Sequence, residues 1–193
     1  MIVLIMPLDD AGKTFLCLET TRVKKDYLMD NRLLMLFGKT GAGKNYLARF
    51  FEKEFGYYWY DADSDLTSEM VQAVKSKEAF TTEMRARYFH IVKLKIRALL
   101  PIEKKIVITQ GLFKNANRHD LRKEFPMMRW VWVDAEPRVI EKRILKRNNM
   151  VTPEYARKIN AFFEEPDFQC DKIINHQGET ETLTQVRRIE KNF

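Results

Sequence analysis

Cysteine, glycine and proline are all scarce in this chain. Of 193 residues, two are cysteine, seven glycine and six proline. That excludes a collagen-like repeat, a low-complexity linker protein and a disulfide-stapled miniprotein. Cys17 and Cys170 stand in unrelated contexts with no metal-ligand spacing, so they read as free thiols of a reducing, cytoplasmic protein. His90, His119 and His176 are equally dispersed and point to no zinc site. No apolar run approaches the roughly 20 residues of a membrane-spanning helix. Met1–Met6 is apolar, but it lacks a positive leader and stops at Pro7, too short for a signal peptide. No internal repeat or Gly/Ser linker divides the chain.

What is present is a globular composition, 45% apolar and 32% charged, enough for a packed core. Thirty-four Lys and Arg against 27 Asp and Glu leave a net charge of +7. Such a balance suits nucleic acid, an anionic surface or a phosphorylated small molecule.

Residues 1–32 carry two β-favouring runs, Ile2–Met6 and Thr14–Glu19, around Asp9-Asp10-Ala11-Gly12, which predicts a β-hairpin-like extension. Over residues 33–193 strand and helix signals alternate. Leu33–Phe37, Tyr57–Tyr60, Ile106–Thr109, Trp130–Val133 and Lys172–Ile174 read as five short buried strands. Leu47, Phe50, Phe51 and Phe55 lie at helical spacing in a helix closed by Gly56, and a longer helix over Thr81–Leu100 ends at Pro101. Pro137 opens a helix carrying Val139, Ile140, Ile144 and Leu145. Thr152 caps another before Pro153, with Tyr155, Ile159, Phe162 and Phe163 on one face, and Thr180–Lys191 closes the chain. Fully apolar strands alternating with helices imply a three-layer α/β fold with a five-stranded parallel sheet. Its ligand crevice lies at the carboxyl ends of the strands.

After the first of those strands stands Gly38-Lys39-Thr40-Gly41-Ala42-Gly43-Lys44-Asn45. This is G-x-x-x-x-G-K between a strand and a helix, the context that a phosphate-binding loop (P-loop) requires. The glycines allow successive N–H groups to turn towards one anion, and the helix N-terminus adds partial positive charge. Lys44 brings a full charge to the β- and γ-phosphates, so ATP is the expected cofactor. Asn45 replaces the usual Ser or Thr that ligates Mg²⁺, and its amide oxygen is the remaining candidate ligand.

After the second strand comes Asp61-Ala62-Asp63-Ser64-Asp65. Alternate positions at a strand end face one way, so Asp61 and Asp63 are expected to share a site. One can hold a magnesium-bound water and the other accept a proton from a hydroxyl. Arg143 and Arg147, four residues apart on one helix face, lead into an expected lid over residues 147–160 and are candidates to close on the phosphates, Arg147 being the nearer to the hinge. Asp134 ends a strand like the magnesium-binding acid of other nucleotide hydrolases and is a weaker candidate. Tyr57, Tyr58, Trp59 and Tyr60 read as core rather than as a stacking surface.

The P-loop, the D-A-D after strand two, Thr81-Thr82-Glu83-Met84-Arg85 and Phe163-Glu164-Glu165-Pro166 follow the order of gluconokinase-like small-molecule kinases. Gln110-Gly111-Leu112-Phe113-Lys114, with Arg118 and Arg122 beyond, is similar to a further segment of that family. Shikimate kinases share the D-x-D but place three glycines where Gly111 stands alone. The resemblance, covering about residues 33–190, implies a P-loop NTPase fold like that of nucleoside-monophosphate kinases. It also implies Asp61 near the metal, and Asp63, Arg85 and Lys114 near the acceptor. The expected activity is ATP- and Mg²⁺-dependent transfer of phosphate to a hydroxyl of a small, anionic metabolite, a sugar acid such as gluconate. Lys44, Asp63 and Arg147 would be catalytic. A nucleotide-binding switch without turnover, favoured by Asn45, and a nucleic-acid or nucleotide kinase, favoured by the charge, are the rival readings. No membrane partner is expected.

Overall fold

The computed structural model describes residues 31–146 and 151–193. The expected hairpin within residues 1–32 and the lid arginine Arg147 therefore lie outside the described residues, apart from the last two positions of that extension.

Five strands form one parallel sheet: β1 (Arg32–Phe37), β2 (Tyr58–Asp61), β3 (Lys105–Gln110), β4 (Arg129–Asp134) and β5 (Asp171–Ile174), in the order β2-β3-β1-β4-β5. β1 is central because it pairs with both β3 and β4. Leu33, Leu34, Met35, Leu36 and Phe37 are all fully buried, as a strand covered on both faces must be. The alternation of a strand splits them between two cores. Leu33, Met35 and Phe37 face α3 (Thr82–Leu99) and α4 (Asn115–Glu124), while Leu34 and Leu36 face α1 (Lys44–Phe55) and α7 (Glu179–Lys191). Between β2 and α3 lie a 3₁₀ turn (Ala62–Asp65) and α2 (Ser68–Lys75); α5 (Pro137–Leu145) and α6 (Pro153–Asn160) separate β4 from β5.

The three-layer fold and the five strands agree with the sequence reading, with no strand end shifted by more than one residue. Three local readings need correction. Tyr57 precedes β2 and is core, whereas Tyr58 is 41% exposed on the edge strand. Asn115–Glu124, which carries no helix signal in the sequence, forms α4, whose inward residues are Arg118 and Leu121 rather than an apolar stripe. The helix capped by Thr152 ends at Asn160, so Phe162 and Phe163 leave its face: Phe163 stacks on Trp132 while Phe162 is 54% exposed.

Candidate active site

The chain leaves β1 through a loop that only glycine can shape. A Cβ on Gly38 would lie 2.2 Å from the Val133 carbonyl oxygen, and Gly43 caps α1 at φ +100°. α1 has no acidic side chain in its first turn, so its N-terminal partial charge is unopposed within the helix and suits an anion. Lys44 is buried, and its ammonium donates to the carbonyls of Gly38 (3.1 Å) and Lys39 (3.0 Å). From α5, Arg143 donates to the carbonyls of Ala42 (3.0 Å) and Asn175 (2.7 Å), and the Asn175 amide donates to the same Ala42 oxygen at 2.8 Å. Arg143 thus meets the P-loop through its backbone. From α6, Asn160 accepts from the Thr40 N–H (2.8 Å) and donates to the Thr40 carbonyl (3.0 Å).

Asp61 and Asp63 do come together, by a different route from strand alternation. β2 ends at Asp61, and the 3₁₀ turn carries Asp63 round so that its N–H donates to the Asp61 carboxylate at 3.2 Å. Asp61 also accepts from the Thr109 hydroxyl (3.2 Å) and from the Asn45 amide nitrogen (2.7 Å). An ionised carboxylate only accepts, so the Asn45 NH₂ must be the end facing Asp61, and the amide oxygen is the end that could hold a metal. Magnesium ordinarily takes one or two carboxylates with phosphate oxygens and water. Asp61 and the Asn45 oxygen fit that pattern, and among the described residues no group of three or more His, Cys, Asp or Glu offers a fuller cage.

Asp63 opens onto a cavity of about 340 Å³ that Thr40, Lys44, Arg85, Gln110 and Lys114 also line. Asp63 is exposed at the crevice, yet desolvation by the surrounding walls pushes its carboxyl above the usual carboxylate range. Lys44 pulls it down, Asp61 pushes it up, and the hydrogen bond from Gln110 (3.3 Å) pulls it down. The Gln110 amide also donates to the Tyr88 hydroxyl at 3.2 Å, and that hydroxyl donates to the Ala62 carbonyl at 2.9 Å. Thr109, Gln110 and Tyr88 thus hold the acidic turn from β3 and α3. Thr109 and Tyr88 carry no sequence signal, and Gln110 stands out only as the start of the family-like segment, without a role.

Arg85 lies in the first turns of α3 and donates to the Phe80 carbonyl at 3.2 Å. Lys114 precedes α4 and pairs with Glu164 at 3.0 Å. Glu164 also accepts from the Asn115 N–H at 2.7 Å. Fully buried Arg118 joins the same two segments, donating to the carbonyls of Leu112 (2.7 Å) and Glu164 (2.8 Å) beneath Lys114. Its guanidinium lies 4.8 Å from the ring centres of both Phe37 and Phe163. Asp134 is paired with Lys172 at 2.8 Å. His119 and His176 face Asp167 and Glu136 separately, with no metal cluster among the described residues.

A P-loop on the central strand, with two acids at the end of β2, defines a P-loop nucleotide-binding protein. The chain belongs to the AAA-domain family, whose model matches residues 33–166. Comparison with curated proteins returns no match. Among solved structures, a gluconokinase from Sinorhizobium meliloti 1021 is 16% identical with a TM-score of 0.69, over 84% of this chain and 95% of its own. A sugar kinase from Janibacter sp. HTCC2649 is 21% identical with a TM-score of 0.71, over 83% and 93%. The APS kinase CysC of Mycobacterium tuberculosis, in complex with AMPPNP and APS, is 15% identical with a TM-score of 0.58, over 83% and 96%. The fold is that of P-loop small-molecule kinases. No helix among the described residues is long and apolar enough to cross a membrane.

Proposed function

We propose that the protein is an ATP- and Mg²⁺-dependent kinase that transfers the γ-phosphoryl group to a hydroxyl of a small, anionic metabolite. The observation that carries this reading is that Lys44 and Asp63 line one cavity, so a phosphate-binding cation and a proton acceptor share one space. The nucleotide seen with the APS kinase supports the choice of donor.

The loop from Gly38 to Asn45 cradles the phosphates with those of its N–H groups that the protein does not itself take up, as Asn160 takes up that of Thr40, and Lys44 exchanges its carbonyl partners for β- and γ-oxygens. Arg143 keeps the loop in shape, and Arg147 is the further cation assigned to the phosphates. Asp61 and the Asn45 oxygen would hold magnesium together with nucleotide oxygens, and the metal would supply charge neutralisation at the phosphates. Asp63 takes the proton of the acceptor hydroxyl as that oxygen bonds to the γ-phosphorus. The bond from phosphorus to the β–γ bridging oxygen breaks and ADP leaves. Arg85 and Lys114 bind the acceptor's negative group. Their charge supports the acid half of a sugar acid such as gluconate. The free thiol of Cys170 and the nucleotide substrate support a cytoplasmic location.

The test is ADP release with ATP, Mg²⁺ and a panel of sugar acids, shikimate, nucleosides and nucleotides, with Lys44→Ala as control. ADP formed with one acceptor by the wild type, and lost in Lys44→Ala, is the expected result. Nucleotide binding without ADP from any acceptor would replace the kinase by a non-catalytic switch. Salt-dependent retention of an oligonucleotide would favour the nucleic-acid reading.

A further inference from the structure

We propose that the acceptor carries its hydroxyl and its anion on an apolar, ring-sized body rather than on a polyol chain, an inference that rests on the kinase reading. The cavity is bounded by α2, α3, α6 and the loop after β3. α2 presents Met70, Val71 and Val74 to it, α3 presents Phe89, and the far wall is Ile159 and Phe162. Three of the neutral polar side chains that reach it, Tyr88, Gln110 and Tyr155, are engaged by the protein itself. The Tyr88 hydroxyl is held between Ala62 and Gln110, and the two ends of the Gln110 amide serve Asp63 and the Leu112 N–H. The Tyr155 hydroxyl donates to the Glu78 carbonyl at 3.2 Å. What remains for a ligand among the described residues is Asp63 beside the P-loop, the Thr40 hydroxyl, the Asn117 amide, Glu78 and the cations Arg85, Lys158 and Lys114, the last shared with Glu164, set around a larger alkyl and phenyl surface.

That arrangement matches one reacting hydroxyl, one anionic group and an apolar spacer. A polyol acid would bring several further hydroxyls against this surface, and each buried without a partner weakens binding by roughly ten- to hundredfold. The volume, about 340 Å³, lies at the small end of ligand sites, which run from about 300 to 1,000 Å³, and suits a single substituted ring.

The experiment separates binding from transfer. Calorimetric titration of the full chain with 4-methylbenzoate, which has no hydroxyl to phosphorylate, is expected to show affinity at least about tenfold above that for gluconate or shikimate. Val74→Thr, which exchanges a methyl for a hydroxyl, and Phe162→Ala, at a half-exposed position, are each expected to weaken 4-methylbenzoate several-fold while ATP affinity holds. In the ADP assay, 4-(hydroxymethyl)benzoate is expected to exceed gluconate in kcat/KM by a similar factor. Gluconate or shikimate binding as tightly as 4-methylbenzoate, or 4-methylbenzoate affinity unmoved by both substitutions, would overturn the inference. ADP release with gluconate alone would keep the kinase and remove the apolar acceptor. Binding that responds to Val74 and Phe162 without ADP from any acceptor would do the reverse.

Discussion

Asn45 shows how one side chain sets the terms of a metal site. Serine or threonine would offer a compact hydroxyl one bond from Cβ, whereas asparagine offers a planar amide whose nitrogen is spent on Asp61 at 2.7 Å. In the proposed site magnesium would then depend on the amide oxygen, Asp61 and the nucleotide. Wild-type protein is therefore expected to need more Mg²⁺ than Asn45→Ser or Asn45→Thr, measured as half-saturating Mg²⁺ at fixed ATP. A higher requirement in both variants would mean that the Asn45–Asp61 bond is what keeps the ligands in place. The two acids should also separate kinetically. Asp61→Asn is expected to raise half-saturating Mg²⁺ by about tenfold or more, the scale of a lost metal-shell group. Asp63→Asn should cut kcat by about 10²- to 10⁴-fold with ATP affinity unchanged, the scale of general-base removal. Matching defects in both variants would refute this division of roles.

At the scale of elements, α6 joins the P-loop to the wall of the cavity. Its N-terminus is fixed by Thr152, which caps Tyr155 N–H at 3.2 Å, and by Pro153 at the first helical position. The Tyr155 hydroxyl reaches the segment between α2 and α3, while Asn160 grips both polar groups of the Thr40 backbone. An eight-residue helix has little stability of its own, so these side-chain bonds decide where it rests. Asn160→Ala removes two hydrogen bonds worth about 1 kcal/mol each. Amide exchange in α6 should accelerate about tenfold or more relative to α1, and KM for ATP should rise. Unchanged exchange in α6 would show that Tyr155 and the apolar contacts hold the helix alone.

For the molecule as a whole, the end of the sheet opposite the crevice is closed by Glu190 on α7. Its carboxylate pairs with Arg32 at the start of β1, accepts from the Tyr57 hydroxyl at 2.6 Å and from Lys105 of β3 at 3.3 Å. Burial, followed by the bond to Glu190, raises the Tyr57 hydroxyl above its ordinary pKa. Glu190→Ala leaves these donors without their shared acceptor and should cost about 1–3 kcal/mol in urea unfolding. Six residues of β1, about 20 Å, separate this network from the P-loop, so ATP affinity should be unaltered. A loss of ATP affinity as large as the loss of stability would mean that the two ends of the sheet are coupled.

Much of the fold was legible because its signals are local. An apolar run bounded by turns is a buried strand wherever it stands, Thr152-Pro153 caps a helix from within, and the backbone angles at Gly38 and Gly43 belong to the loop itself. The P-loop and the D-A-D acids could be read for that reason. α4 was not legible, because its inward charge, Arg118, is tolerable only where Leu112, Glu164, Phe37 and Phe163 converge; burial there pushes its pKa down to about 10. Asn160 and Asn175 lie 120 and 133 residues from the loop backbone they hold, and Thr109 lies 48 from Asp61. The sequence by itself determined the five strands, five of the seven helices of the described residues and the position of the P-loop. Only the tertiary structure decided which polar side chains brace that loop and that an apolar wall faces Asp63, because desolvation and hydrogen-bond partners exist only once distant segments are packed together.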